Sequence, residues 1–157
     1  MKASFFEIDG IIAKDFLKKL YNDNFVPEDN FFNTDILDAA TINPVVVDLI
    51  KEKHLNNEKI IIITNRDIKF DIVTNHWLSR NFKFSIETHF RPIYIDKNDF
   101  PLFKTGMVSL LIDMYKFDEI EIYMHDVKEI SLVFEQLRNI NKKIFLTHDN
   151  NITLIEE

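Results

Sequence analysis

Residues 59–64 read Lys-Ile-Ile-Ile-Ile-Thr, and no other stretch constrains the fold as tightly. Four consecutive isoleucines put β-branched apolar side chains on both faces of an extended segment, so both faces must be covered. Such a strand belongs near the centre of a parallel sheet with helices on either side. The flanking sequence supplies the alternation that a sheet of this kind needs. Residues 3–8 form an aromatic-rich strand that runs into a loop at Asp9 and Gly10. Residues 13–21 place Phe16, Leu17 and Leu20 on one helical face, and residues 22–40 show no clear period, which marks an irregular insertion. Asn43 followed by Pro44 signals a helix start, with Val45, Val46, Leu49 and Ile50 as its apolar face and an end at residues 54–57. After the isoleucine strand come a helix over 68–80, a strand over 82–86 and a proline-containing loop over 91–102. A helix over 105–115, a strand over 119–124, a helix over 130–139 and a strand over 143–147 complete the pattern.

This rhythm predicts an α/β fold, a three-layer doubly wound, mostly parallel sheet of Rossmann type. The 157 residues suffice for one domain and not two. With two glycines in the whole chain, tight turns must rely on Asn and Asp. The absence of cysteine removes disulfides, thiolate metal sites and cysteine nucleophiles. A net charge of −7 argues against nonspecific duplex binding, which needs clustered Lys and Arg to neutralise phosphates. Glu7 and Asp9 interrupt the amino-terminal apolar stretch before a signal-peptide core forms, and no apolar run approaches the roughly 20 residues of a membrane span. The expectation is a cytoplasmic protein with no membrane association.

Ligands of doubly wound sheets bind beyond the carboxyl ends of the strands. Three predicted strand ends carry polar clusters: Glu7 and Asp9, then Thr64-Asn65-Arg66, then His125-Asp126. Acids at two strand ends, a hydroxyl at a third and a lysine at a helix start are the parts of a phosphoryl-transfer site, in which acids hold Mg²⁺ while hydroxyl and ammonium hold phosphate. Each residue also has a plainer reading. Thr64 or Asp126 at a strand end can cap the following helix, Lys104 can be a solvated helix-start residue, and Asp9 before Gly10 can form a turn. His125 beside Asp126 can be purely structural, and the remaining histidines, 54, 76, 89 and 148, lack the spacing of a zinc site. Phe25, Phe31 and Phe32 can stack nucleic-acid bases or form a small satellite core.

In order and spacing these clusters resemble the signatures of the haloacid dehalogenase (HAD) phosphohydrolase superfamily. Phe6-Glu7-Ile8-Asp9-Gly10-Ile11 is similar to its first signature, Asp-x-Asp-Gly-Thr. Ile63-Thr64-Asn65-Arg66 is similar to the second, Lys104 to the third and Met124-His125-Asp126 to the fourth. Residues 42–49 resemble the 3′-phosphatase domain of phage-type polynucleotide kinases, and Phe103-Lys104 with residues 122–126 resemble the HAD-like domain of Swiss-army-knife RNA repair proteins. The resemblance spans residues 3–147. It implies a HAD-like fold with a small or absent cap, and a Mg²⁺-dependent phosphatase of nucleic-acid ends or nucleotides. It also implies Glu7 and Asp9 in catalysis, Thr64 and Lys104 on phosphate, and Glu7, Asp9 and Asp126 around the metal. Three departures bear on activity. Glu7 stands where the family has its Asp nucleophile, and an added methylene displaces the attacking oxygen by about 1 Å, which can cost on the order of 100-fold. Ile11 replaces the hydroxyl residue of the first signature, and His125 replaces one of the fourth signature's paired acids. Weakened or lost catalysis is the expectation. The alternative is a non-catalytic HAD-like module that binds a nucleotide or a protein partner, or serves a structural role.

Overall fold

The structure, a computed structural model, describes residues 1–14 and 37–156. From the amino end the described chain forms β1 (Lys2–Phe6), β2 (Ala13–Lys14), β3 (Thr41–Ile42), α1 (Pro44–Leu55), β4 (Lys59–Asp67), α2 (Asp71–Asn81), β5 (Glu87–Arg91), α3 (Phe100–Tyr115), β6 (Glu119–Met124), α4 (Ile130–Gln136), β7 (Lys142–His148) and β8 (Asn151–Ile155). Six strands make one sheet in the order β5-β4-β1-β6-β7-β8, parallel except for β8, while β2 and β3 pair antiparallel on their own. The chain winds outward from β1 through β4 to β5, then crosses to the other side and winds outward through β6, β7 and β8. Strand order therefore reverses at β1, and the crevice beyond its carboxyl end is the place where such sheets hold ligands.

The isoleucine run explains the layering. Ile61 and Ile63 join Ala3, Phe5, Ile120 and Ile122 beneath α3 and α4, against Val108, Leu111, Ile112, Ile130 and Val133. Ile60 and Ile62 face the opposite way with Phe6 and Tyr123, against Val46, Val47 and Ile50 of α1 and Trp77 and Leu78 of α2. The sheet is thus the middle of three layers, a mostly parallel α/β sandwich of Rossmann-like form. Among the described residues no helix is long and apolar enough to cross a membrane.

Several expected boundaries move. The α1 start stands as read: the Asn43 side chain accepts from Val45 N at 3.2 Å, and Pro44 opens the helix. Its buried row is Val46, Val47, Ile50 and Lys53, one step round from the expected face, and Val45 is exposed. The fifth strand is Glu87–Arg91 and not residues 82–86, because Phe82 is spent as a buried plug whose N–H closes α2 on Leu78 O. Helix α3 begins at Phe100, five residues before the expected start, because Pro101 falls in the first turn, where a missing N–H costs no helical bond. Helix α4 stops at Gln136, three residues short of the expected end. The β7–β8 hairpin was not expected; its turn uses Asp149 at φ 51°, a conformation that Asp tolerates better than most residues. Of the expected helix over 13–21, Ala13 and Lys14 are instead strand β2. Residues 15–21 of that helix, and residues 22–36 of the expected insertion with Phe25, Phe31 and Phe32, lie outside the described residues.

Candidate functional site

The strands ending near Glu7, Thr64 and Met124 are direct neighbours with their carboxyl ends together, β1 pairing in parallel with both β4 and β6. After β1 the chain turns sharply. Gly10 takes φ 90°, which a side chain would resist, and Ala13 N donates to Ile8 O at 2.8 Å. Ile8, Ile11, Ile12 and Ala13 are all fully buried, so the position that carries a hydroxyl in the resembling signature is here part of the core. Glu7 and Asp9, on either side of Ile8 at this strand end, are 6% and 8% exposed.

Asp9 is held by Arg66. The guanidinium donates through Nε to Oδ2 at 3.0 Å and through Nη2 to Oδ1 at 2.9 Å, and its Nη1 reaches Thr74 Oγ1 at 3.1 Å. The Trp77 ring lies 5.6 Å from the guanidinium carbon. Arg66 is wholly buried. Its inward aim follows from local backbone: the β4–β5 register shifts between Thr64 and Asp67, the kind of irregularity that re-aims a side chain beside a site. Thr64, also wholly buried, accepts from Arg66 N at 3.2 Å and so fixes this turn.

Glu7 faces Lys104, whose Nζ is 3.4 Å from Glu7 Oε2 and 2.6 Å from Glu129 Oε2. His125 Nδ1 lies 3.9 Å from the same Glu7 oxygen. Lys104 reaches this point from the first turns of α3 and is itself buried. Burial pushes the Glu7 carboxyl above its ordinary value against the pull of Lys104 and His125, with Glu129 and Asp9 pushing upward as well. For Lys104, burial works to lower the ammonium, but Glu7 and Glu129 together outweigh it and hold it above its ordinary value.

Asp126 does something else. Its Oδ1 accepts from Lys128 N at 2.9 Å and caps the short 3₁₀ turn Val127–Glu129. The same device recurs at the end of β4, where Asp67 Oδ1 accepts from Lys69 N at 2.9 Å, and in the loop after β5, where Asp96 Oδ1 accepts from Asn98 N at 2.8 Å. In each case the carboxylate satisfies one N–H of the turn that follows it.

These contacts test the expected Mg²⁺ site. Both oxygens of Asp9 are committed to Arg66, Glu7 is turned to Lys104, and Asp126 caps its own turn. Among the described residues no group of three or more His, Asp or Glu side chains is placed to hold a metal ion. The donor set does not fit the cation that the resemblance implies, because internal cations already neutralise it. Of the residues expected at the site, Glu7 and Lys104 meet directly, Asp9 lies beside them, Thr64 acts through the Arg66 turn, and Asp126 stands apart as a cap. Two central residues had no role read from sequence. Arg66 lay inside the second signature with no function attached. Glu129 carried no signal at all, because its partner is 25 residues away and only the fold brings them together. No protein-family model matches the chain, and no curated protein sequence matches it.

Proposed function

We propose that this chain is a HAD-like protein, related to Mg²⁺-dependent phosphatases of nucleic-acid ends or nucleotides, in which catalysis is lost and the strand-end pocket serves as a non-catalytic module. What carries this reading is the fate of Lys104. It is the residue expected to bind phosphate, yet its ammonium is shared between the Glu7 and Glu129 carboxylates at 3.4 and 2.6 Å. A nucleophile must present an unencumbered oxygen in line with phosphorus, and Glu7 is longer than the family residue and drawn toward a lysine. Asp9, the expected acid and base, is a buried carboxylate in a two-point bond with Arg66. The likeness to nucleic-acid repair phosphatases supports a nucleotide, a phosphorylated nucleic-acid end or a protein as the partner of the retained surface.

The test is hydrolysis of a 3′-phosphorylated oligonucleotide and of a simple aryl phosphate with Mg²⁺ present. Wild type is expected to release no phosphate above the uncatalysed rate, and Glu7→Asp to remain silent because Asp9 and Lys104 stay tied. Robust wild-type turnover that Asp9→Asn abolishes would overturn the reading.

A further inference from the structure

We propose that β8 is a dimerisation edge: two copies of this chain pair β8 with β8, antiparallel about Thr153, and join their six-stranded sheets into one continuous sheet.

The two edges of the sheet differ in how they are protected. An edge strand exposes unpaired N–H and C=O groups, and native chains blunt it with charge, proline or a covering element. β5, at one edge, carries Glu87, His89 and Arg91 among its five residues. Glu87 is paired with Lys59 at 2.9 Å, and Arg91 donates to Asn65 O and Ile95 O. β8, at the other edge, reads Asn151-Ile152-Thr153-Leu154-Ile155, with no charge and no proline, and among the described residues it pairs with β7 alone. Nor does a helix close over it. The seven-residue α4 leaves a groove of about 640 Å³ beside β8, lined by Ile130, Phe134, Leu146 and Ile155.

The register follows from the hairpin. His148 faces Asn151 across a two-residue turn, and the pair that closes such a turn shares both of its hydrogen bonds. The ladder to β7 therefore uses Asn151, Thr153 and Ile155, and the N–H and C=O of Ile152 and Leu154 point outward. A second β8 centred on Thr153 sets Ile152 against the partner's Leu154 and Leu154 against the partner's Ile152, and four main-chain bonds satisfy every outward group of both. A centre at Ile152 would draw in the turn residue Asn150, and one at Leu154 would set Glu156 against Ile152.

The side chains agree with this centre. Ile152 packs against the core on the α1 face, and strand alternation puts Leu154, 45% exposed, on the same face. Pairing lays the partner's Leu154 beside Ile152 and covers both. Thr153 is exposed and meets its own copy, a cross-strand hydroxyl pair that sheets favour. Glu156 falls opposite the uncharged Asn150. A two-fold contact requires a surface that matches itself, and this self-matching strand selects a second copy as the occupant. The axis stands normal to the sheet, so both α4 helices lie on one side and their grooves adjoin. The interface is small, which sets its strength at micromolar Kd.

Analytical ultracentrifugation of the whole chain, from micromolar to millimolar concentration, decides the matter. Wild type is expected to pass from the 18.7 kDa of one chain to twice that mass. Thr153→Lys and Thr153→Glu each set a charge against its like and are expected to weaken dimerisation about tenfold or more. Mixed in equal amounts, they are expected to regain the wild-type dimer, because lysine then faces glutamate. Leu154→Pro removes an outward N–H and no bond to β7, and is expected to stay monomeric. Circular dichroism establishes that each variant folds, and the exposed Thr153 pair carries the test should the proline variant fail. The proposal is overturned if wild type keeps the mass of one chain throughout, if its dimer persists unchanged in both Thr153 variants, or if their mixture associates no better than either alone.

Discussion

Two glutamates with similarly little exposed surface, one just past β1 and one within the neighbouring β6, behave in opposite ways. Glu7, just after β1, is 6% exposed and its carboxyl is pushed above the ordinary value. Glu121, within β6, is 5% exposed and held down at about 2. Burial pushes both upward, and Glu7 is the more deeply enclosed of the two, but the donors around them differ as well. Glu121 receives three donors: Lys2 Nζ at 2.6 Å, Lys53 Nζ at 2.5 Å and the Tyr123 hydroxyl at 2.7 Å. Around it Lys2, Lys53 and Lys143 face Glu58, Glu119 and Glu121, so its surroundings are balanced. Glu7 has one ammonium at 3.4 Å, and Glu129 holds that ammonium more closely. Glu121 thus has three donors where Glu7 has one, while Asp9 beside Glu7 has both oxygens on Arg66, so within the strand-end cluster it is Glu7 that is under-supplied.

The comparison breaks most visibly when donors are removed. Arg66→Met strips the guanidinium that holds both oxygens of buried Asp9 and is expected to cost about 3–5 kcal/mol in urea unfolding, the usual penalty of leaving a buried charge unpaired. The Arg66→Met/Asp9→Asn double variant should recover part of that loss. Lys53→Met is expected to cost clearly less, because Lys2 and Tyr123 remain on Glu121. Equal losses for the two single variants would show that the donor supply differs only on paper.

Acidification sharpens the contrast through its sign. The folded-state value of Glu7 lies above the unfolded one, so Glu7 binds its proton more readily when folded, and its contribution to stability rises as pH falls through the folded-state value toward 4.5. Glu121 does the reverse: its contribution is complete above 4.5 and is lost as pH falls from there to about 2. Urea midpoints measured against pH should therefore lose the first, upward limb in Glu7→Gln and soften the second, downward limb in Glu121→Gln. Tyr123→Phe should have the smallest effect, about 1 kcal/mol for one hydrogen bond, with the acid limb beginning at slightly higher pH. A Glu7→Gln profile that parallels wild type would remove Glu7 from the account.

What the sequence disclosed follows from which signals are local. Four isoleucines in a row announce a two-faced buried strand, Asn43-Pro44 announces a helix start, and polar residues at three strand ends announce a crevice. Each rests on neighbours within a few positions. The edges were harder to read. Phe82 looked like strand because it is apolar, but it packs as a plug under α2, and β8 hides in a polar stretch whose turn depends on one aspartate in a left-handed conformation. The site divides along the same line. Glu7, Asp9 and Lys104 were legible as residue types at the right places, whereas the bonds that decide their chemistry, Arg66 to Asp9 and Glu129 to Lys104, span 57 and 25 positions. Charge pairing over such distances exists only once the sheet is assembled.

The central claim is that the chain's own arginine and lysine stand in for a dissociable cation at the strand ends. Calorimetric titration of the wild-type protein with Mg²⁺ and then Mn²⁺, alongside Asp126→Asn, tests it most directly. The account predicts no saturable heat for either ion at millimolar concentration, in wild type or variant. Stoichiometric binding by wild type that disappears in Asp126→Asn would contradict it, and would mean that Glu7, Asp9 and Asp126 release their internal partners to hold a metal.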